Sequence, residues 1–152
     1  MTVLPRTSFV IPARNAASTL AQTLDSVLAQ TLADWEALVI DDGSGDETPQ
    51  LLGAYAQRDA RVVALRSGSG SGEGASAARN LGLAQARGRR VVFLDSDDWI
   101  APAFLERLHA ALDAAPGAAA AYCDRQRVMP DGALAPVQSD PRIAQAPLDA
   151  FA

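Results

Sequence analysis

Val91-Val92-Phe93-Leu94-Asp95-Ser96-Asp97-Asp98-Trp99 is the stretch on which the reading of this chain turns. Four apolar residues, two of them β-branched and one aromatic, describe a buried strand. Three carboxylates then fall within four positions. Like charges this close repel, and each resists losing its water, so the cluster is a poor device for holding a fold together. A divalent cation among the oxygens reverses that balance, and hard cations such as Mg²⁺ take carboxylate oxygen readily. The stretch reads as a strand that ends in a metal site.

Working outward, the same arrangement recurs. Ser8-Phe9-Val10-Ile11 reads as a first strand that Pro12 ends, since proline cannot donate to a sheet ladder. Pro12-Ala13-Arg14-Asn15 is then a loop. A helix capped by Ser18 follows, with Leu20, Leu24, Val27 and Leu28 on one face. Ala37-Leu38-Val39-Ile40 is a second strand and also ends in acid, Asp41-Asp42-Gly43-Ser44. Thr48-Pro49 opens a second helix, with Leu51, Leu52 and Tyr55 on its buried side, and Arg61 to Leu65 is a third strand.

Ser67 to Gly74 is a low-complexity glycine-rich loop without the G-x-G-x-x-G spacing of dinucleotide sites. Ala75 to Arg87 is a helix of small residues, suited to close packing at Gly82 and capped by Gly88. Pro102 starts another helix carrying Phe104, Leu105, Leu108, Ala111 and Leu112. Ala118 to Asp124 is a candidate fifth strand, with Cys123 in the core, and Pro130-Asp131-Gly132 is a turn. His109 reads as a solvated or half-buried helix residue. Trp35 is a packing group, and Trp99 stands close enough to the acidic turn to wall a site.

Strand and helix alternate four times, which predicts an α/β fold: a mostly parallel open sheet with helices on both faces. Ligands of such sheets sit beyond the carboxyl ends of the strands. Five aspartates and Arg14 would therefore share one rim, and they cannot all stay ionised there without a counter-charge. Asp41 and Asp42 suit either a turn with Gly43 or a ligand contact. Arg79 suits either an exposed helix face or a phosphate contact, because guanidinium matches phosphate geometry.

Composition narrows the functions. The 152 residues suit one domain with a genuine core. A formal net charge of -5 leaves no footprint for nucleic acid. All 13 basic residues are arginine, so mechanisms that need lysine, such as that of an aspartate-phosphorylated receiver, lose their usual partner. A single cysteine allows neither an intrachain disulfide nor a cysteine metal cluster. No apolar run reaches the ~18 residues of a membrane span. The expected location is cytoplasmic, with peripheral attachment at the inner membrane left open.

The ordered set of stretches resembles family 2 glycosyltransferases, inverting enzymes of GT-A fold with a Rossmann-like sheet. Ser8 to Asn15, Asp25 to Thr31, Asp41 to Ser44, Gly74 to Leu83 and Phe93 to Asp98 carry the likeness, in order from about residue 7 to residue 105. The resemblance implies a nucleoside-diphosphate sugar donor, most often a UDP-sugar, and an unspecified glycan, lipid or small-molecule acceptor. It implies that Asp42, with Asp41 beside it, bonds the base, and that Pro12, Ala13 and Arg14 line the base pocket. Asp95-Ser96-Asp97 matches the D-x-D motif, whose last acid and Asp98 would reach the ribose and a Mg²⁺ or Mn²⁺ on the diphosphate. Where many members have an aromatic residue this chain has Arg14, so the expectation is either that guanidinium stacking takes the place of aromatic stacking on the base or that the base preference is altered. No residue matches the general base that deprotonates the acceptor. Residues 1–137 are thus expected to form the donor-binding domain. Residues 138–152 are expected to be a loosely ordered tail that begins an acceptor-side segment, and a binding module without turnover is the alternative.

Overall fold

A computed structural model describes residues 4–68 and 72–138. The chain divides into two compact units, Met1–Pro102 and Ala103–Ala152. In the first, β1 (Thr7–Ala13), α1 (Leu20–Leu28), β2 (Trp35–Asp41), α2 (Thr48–Arg58), β3 (Val62–Arg66), α3 (Ala75–Gln85) and β4 (Arg90–Phe93) alternate along the chain. Among the described residues the strands form one sheet in the order β3-β2-β1-β4, parallel throughout. The expected α/β class with a parallel open sheet is what forms. After β1 the chain builds β2 and β3 to one side, then returns to place β4 on the other. The point where strand order reverses therefore lies between β1 and β4.

Alternation along the central strands serves both faces. Val10, Leu38 and Ile40 point to one face, where Ala78 of α3 joins them in a buried cluster. Gly82 lets α3 come this close: a Cβ there would lie 2.6 Å from Val10 Cγ1 and 2.7 Å from Ile40 Cδ1. Phe9, Ile11, Ala37 and Val39 point the other way and are equally buried. There α2 packs on β2 and β3, and α1 on α2, burying Leu20, Leu24, Val27 and Leu52. Burial of each large aliphatic side chain contributes about 1.5–3 kcal/mol. Trp35 is a packing group as expected, edge-on to Phe9 at 6.2 Å with Arg61 Cζ 3.8 Å from its ring centre.

Several local expectations give way. Pro12 does not end β1, which runs on to Ala13. Val10 accepts from Leu94 N–H on the β4 side, while Ala13 accepts from Asp42 N–H on the β2 side. The missing N–H of Pro12 therefore faces the β4 side, where pairing stops at Val10–Phe93, and the β1–β2 ladder loses no bond. Ser18 does not cap α1, whose flanking residue is Thr19. Gly88 is not a helix cap either, since α3 ends at Gln85. It is the place where backbone meets backbone: a Cβ would lie 2.5 Å from Ser8 N, and its N–H donates to Ser8 Oγ at 2.8 Å. The opening stretch is less buried than its apolar run suggests. With β4 at the sheet edge, Phe93 is 53% exposed, while Leu94 is buried.

In the second unit, α4 (Phe104–Ala114) buries Leu105, Leu108 and also His109, which the sequence reads as solvated or half-buried. Ala118 to Asp124 forms no strand: alanine has little preference for sheets, and no strand among the described residues pairs with it. Cys123 is exposed rather than core. The turn at Pro130-Asp131-Gly132 does form: Gly132 has φ 81 and antiparallel bridges join Arg125 to Gln138 and Val128 to Leu134. The tail expected beyond Gln138 lies outside the described residues. Among those described, no helix is long and apolar enough to cross a membrane.

Candidate functional site

The carboxyl ends of β1, β2 and β4 and the start of α3 enclose a cleft of about 580 Å³ at the reversal of strand order. β1 supplies Pro12 and Ala13, and the loop after it Arg14 and Asn15. β2 supplies Asp42. α3 contributes Arg79 from its second turn, and the turn after β4 contributes Asp95, Ser96 and Asp97. Eight of the ten residues singled out from the sequence thus share one cavity. Asp41 and Asp98 are not among the lining residues, nor is Trp99.

The two acids after β2 separate into different tasks. Asp41 is 3% exposed. Its Oδ1 accepts from the Ser44 N–H at 3.0 Å, closing the turn that Gly43 makes at φ 73, and its Oδ2 is 3.8 Å from Arg66 Nε. Asp42 is 2% exposed. Its Oδ1 accepts from the Glu73 N–H and its Oδ2 from the Gly74 N–H, each at 2.8 Å. The Glu73 bond is the main reason its carboxyl stays below the usual range; burial opposes the shift, and the Gly74 bond and Arg14 charge reinforce it. Asp42 is therefore a carboxylate at neutral pH, which accepts hydrogen bonds and donates none.

Across the cleft, Arg79 Nη2 donates to Asp95 Oδ1 at 2.5 Å. The Asp98 N–H donates to the Asp95 carbonyl at 3.1 Å, curling the chain so that Asp95 and Asp97 both face the cavity. Among the described residues no three His, Cys, Asp or Glu side chains gather into a metal-binding group. The donor set still suits Mg²⁺ or Mn²⁺ on a diphosphate. Such ions use one or two carboxylates and take their remaining oxygens from phosphate and water, and Asp97 offers a carboxylate at the cavity wall.

Sequence reasoning missed how the rim is held. Asn15, in the left-handed region at φ 49, receives and gives in one clasp. Its N–H donates to Ser44 Oγ, and its Oδ1 accepts from the Gly45 N–H, both at 2.9 Å. Next to it, the Ala16 N–H donates to Thr48 Oγ1 at 2.8 Å and the Ala17 N–H to Asp46 Oδ2 at 3.1 Å. These bonds tie the loop carrying Arg14 to the loop following Asp42. The signal was present in the residue types, since Asn, Asp, Ser and Thr are the side chains that bond nearby backbone and tolerate tight turns.

This cleft on a parallel sheet is that of a nucleotide-sugar transferase fold, and comparison with known proteins places the chain within that class. Residues 8–145 match the family described as Glycosyl transferase family 2, and the chain belongs to it. It is 38% identical to the succinoglycan biosynthesis protein ExoO of Rhizobium meliloti over 144 residues, which is 95% of this chain and 40% of that protein. Over 95 residues it is 43% identical to an Escherichia coli protein, the UDP-Glc:alpha-D-GlcNAc-diphosphoundecaprenol beta-1,3-glucosyltransferase WfgD, covering 62% of this chain and 36% of that one. Among solved structures it resembles Staphylococcus aureus TarS 1-349 in complex with UDP-GlcNAc, with a TM-score of 0.65 and 30% identity over 72% of this chain and 31% of that one. A mannosyltransferase of Pyrobaculum calidifontis in complex with GDP-Man and Mn²⁺ gives the same TM-score at 27% identity, over 73% and 33% of the two chains. The chain spans about two-fifths or less of the length of these proteins.

Proposed function

We propose that this chain is the donor-binding part of a glycosyltransferase. It would move a sugar from a nucleoside-diphosphate sugar, most simply a UDP-sugar, to an acceptor hydroxyl with inversion. One observation carries the reading: Arg14 and Asp42 from one side, and Arg79, Asp95 and Asp97 from the other, line a single cleft at the reversal of strand order. The likeness to proteins complexed with UDP-GlcNAc and with GDP-Man supports it.

Each side chain then has a task that its chemistry suits. Asp42, held ionised by backbone donors, accepts an N–H from the edge of the base. Uracil and guanine present such an N–H beside a carbonyl, whereas the corresponding ring nitrogen of cytosine is an acceptor and meets the carboxylate with repulsion. Arg79 exchanges its bond to Asp95 for one to a phosphate oxygen. Asp97 would hold Mg²⁺ or Mn²⁺, which would supply positive charge against that of the diphosphate.

A thermal-shift panel of UDP, GDP and CDP, each with and without Mn²⁺, tests this. A ligand at 100 times its Kd stabilises by about 2.7 kcal/mol, so UDP with Mn²⁺ should raise Tm by several degrees and CDP should leave it unmoved. No response to any of the three would refute the reading. A second reading, a nucleotide-sugar-binding module without turnover, draws on the same cleft. Asp42 and Asp95 are already engaged, and Asp97 is assigned to the cation. No other carboxylate is then left among the described lining residues to deprotonate an acceptor. Binding of UDP-sugar with Mn²⁺ but without release of UDP would favour that module.

A further inference from the structure

Residues 25–31, part of the ordered likeness described above, do not line the cleft. They hold another piece of chain. Ser26 Oγ accepts from the Ile100 N–H at 3.2 Å, Gln30 Nε2 donates to the Ala101 carbonyl at 2.8 Å, and the Thr31 N–H donates to the Pro102 carbonyl at 2.9 Å. Three successive residues after the acidic turn are thus bonded to one helix end. The way α1 finishes makes these groups available. The Ala29 N–H bonds the Asp25 carbonyl, but the Gln30 N–H bonds that of Val27, three residues back. That N–H would ordinarily serve the Ser26 carbonyl, which takes Gln30 Nε2 at 3.1 Å instead. Gln30 is 8% exposed, and its amide hydrogens join α1 to the loop after β4. The Ser26 hydroxyl gives its proton to the Thr23 carbonyl at 2.7 Å and so presents a lone pair to Ile100.

We propose that Ser26 and Gln30 are positioning residues of the diphosphate side: with the Thr31 N–H they form a clamp that fixes where the acidic turn stands. This rests on the donor-binding reading above. None of residues 95–99 is buried, so apolar packing does not hold the turn. Its own bond from the Asp98 N–H to the Asp95 carbonyl sets its curl but not its place in the molecule. Arg79 reaches Asp95 from α3, and that bond is given up when Arg79 turns to a phosphate. The turn is then held between two anchors. One is Leu94, which is buried and whose N–H donates to the Val10 carbonyl of β1 at 3.2 Å. The other is the clamp, which begins at Ile100, three residues after Asp97. A carboxylate must meet a cation within a narrow range of distance, so residues that place it matter even when they lie outside the site. The clamp contributes no atom to the cleft and acts through the backbone alone.

Two titrations of the full chain test the clamp: Mn²⁺ at saturating UDP, read by the paramagnetic resonance of the free ion, and UDP without metal, read by calorimetry. Gln30→Glu keeps the size, cannot donate, and turns a carboxylate toward two carbonyls. It should weaken Mn²⁺ binding about tenfold, the lower end of what supporting partners of a metal site carry. Metal-free UDP affinity should stay within about twofold of the parent. Ser26→Ala should weaken Mn²⁺ binding about threefold, and Ser26→Thr, which restores the hydroxyl, should recover the parent value. Val27→Ala separates position from stability, since it removes buried atoms of α1 and none of the clamp. It should lower the denaturation midpoint and spare Mn²⁺ affinity. Full Mn²⁺ affinity in Gln30→Glu overturns the proposal, as does an equal loss in Val27→Ala or an equal loss of metal-free UDP affinity. If Gln30→Glu fails to fold, the two Ser26 variants decide alone. If the unsubstituted chain binds no UDP, or no Mn²⁺ in its presence, the fault lies in the donor-binding reading itself and the clamp falls with it.

Discussion

On the β1–β2 side of the cleft, Asp42 is 2% exposed and both its oxygens are occupied by backbone donors. On the β4 side, the Asp95 side chain is 51% exposed, and Asp97 and Asp98 are exposed as well. The first region meets the cost of a buried charge with hydrogen bonds built into the chain. The second keeps its charges at the surface, where Asp95 pairs with the Arg79 side chain. The contrast suits two different tasks. A base is recognised by a fixed edge, so its acceptor must be in place beforehand, whereas a diphosphate and its cation bring charges that replace the water when they arrive.

The largest effect should come from removing the built-in donors' partner. Asp42→Asn keeps the size but loses the charge and turns one acceptor into an amide that faces an N–H. Hydrogen bonds to charged groups contribute about 1.5–3 kcal/mol, so chemical denaturation should show a loss of about 2–4 kcal/mol. UDP binding should vanish with it. A variant as stable as the parent would mean that Asp42 does not anchor the segment before α3, and the contrast between the two sides would break.

Acid provides the next test, through groups that share the built-in character. Glu36 lies at the amino ends of the strands, 2% exposed. Ser8 Oγ donates to it at 2.7 Å, and Arg87 donates through N and Nε at 2.8 Å. Burial alone would raise its carboxyl, but the bonds from the Arg87 and Ser8 side chains outweigh it, and the group titrates below its ordinary value. Asp42 is lowered as well. A carboxyl lowered on folding contributes stability above its unfolded value, about 4, and loses it as pH falls through the folded value. Stability should therefore hold down to about pH 5 and decline below, and Glu36→Gln should flatten that decline. An unchanged acid limb in the variant would show that Glu36 carries none of it.

How far the sequence revealed this arrangement depended on whether a feature is local. Hydrophobic alternation in Phe9 to Ile11 and Ala37 to Ile40 disclosed the strands, and acids placed just after apolar runs disclosed the rim, because strand ends in a parallel sheet fall together. Gly82 was legible as a close-packing residue. Gly88 was not: its neighbour in space is Ser8, eighty positions away, and nothing nearby in the chain announces it. The residue types of the Asn15–Ser44 clasp were suggestive, but its two halves stand 29 positions apart and their pairing was not legible. Pro12 misled because its cost depends on which side of β1 its nitrogen faces, and only the register settles that. In the Asp41–Asp42 pair, adjacent identical residues took the two alternatives, one closing a turn and one lining the cleft.

The smallest effect on stability, and the sharpest on function, is expected at the other side of the cleft. Asp97 is exposed and lines the cavity, so Asp97→Asn should change unfolding free energy by no more than about 0.5 kcal/mol. It should nonetheless remove the extra Tm rise that Mn²⁺ adds to UDP, while UDP alone still binds through the opposite side. Asp98 is the control that divides the acidic turn, since it is exposed but absent from the lining. If Asp98→Asn abolishes the Mn²⁺-dependent rise and Asp97→Asn spares it, the cation sits on the outer acid and the assignment of Asp97 is wrong. If both variants also lose UDP binding in the absence of metal, the two sides of the cleft do not act separately.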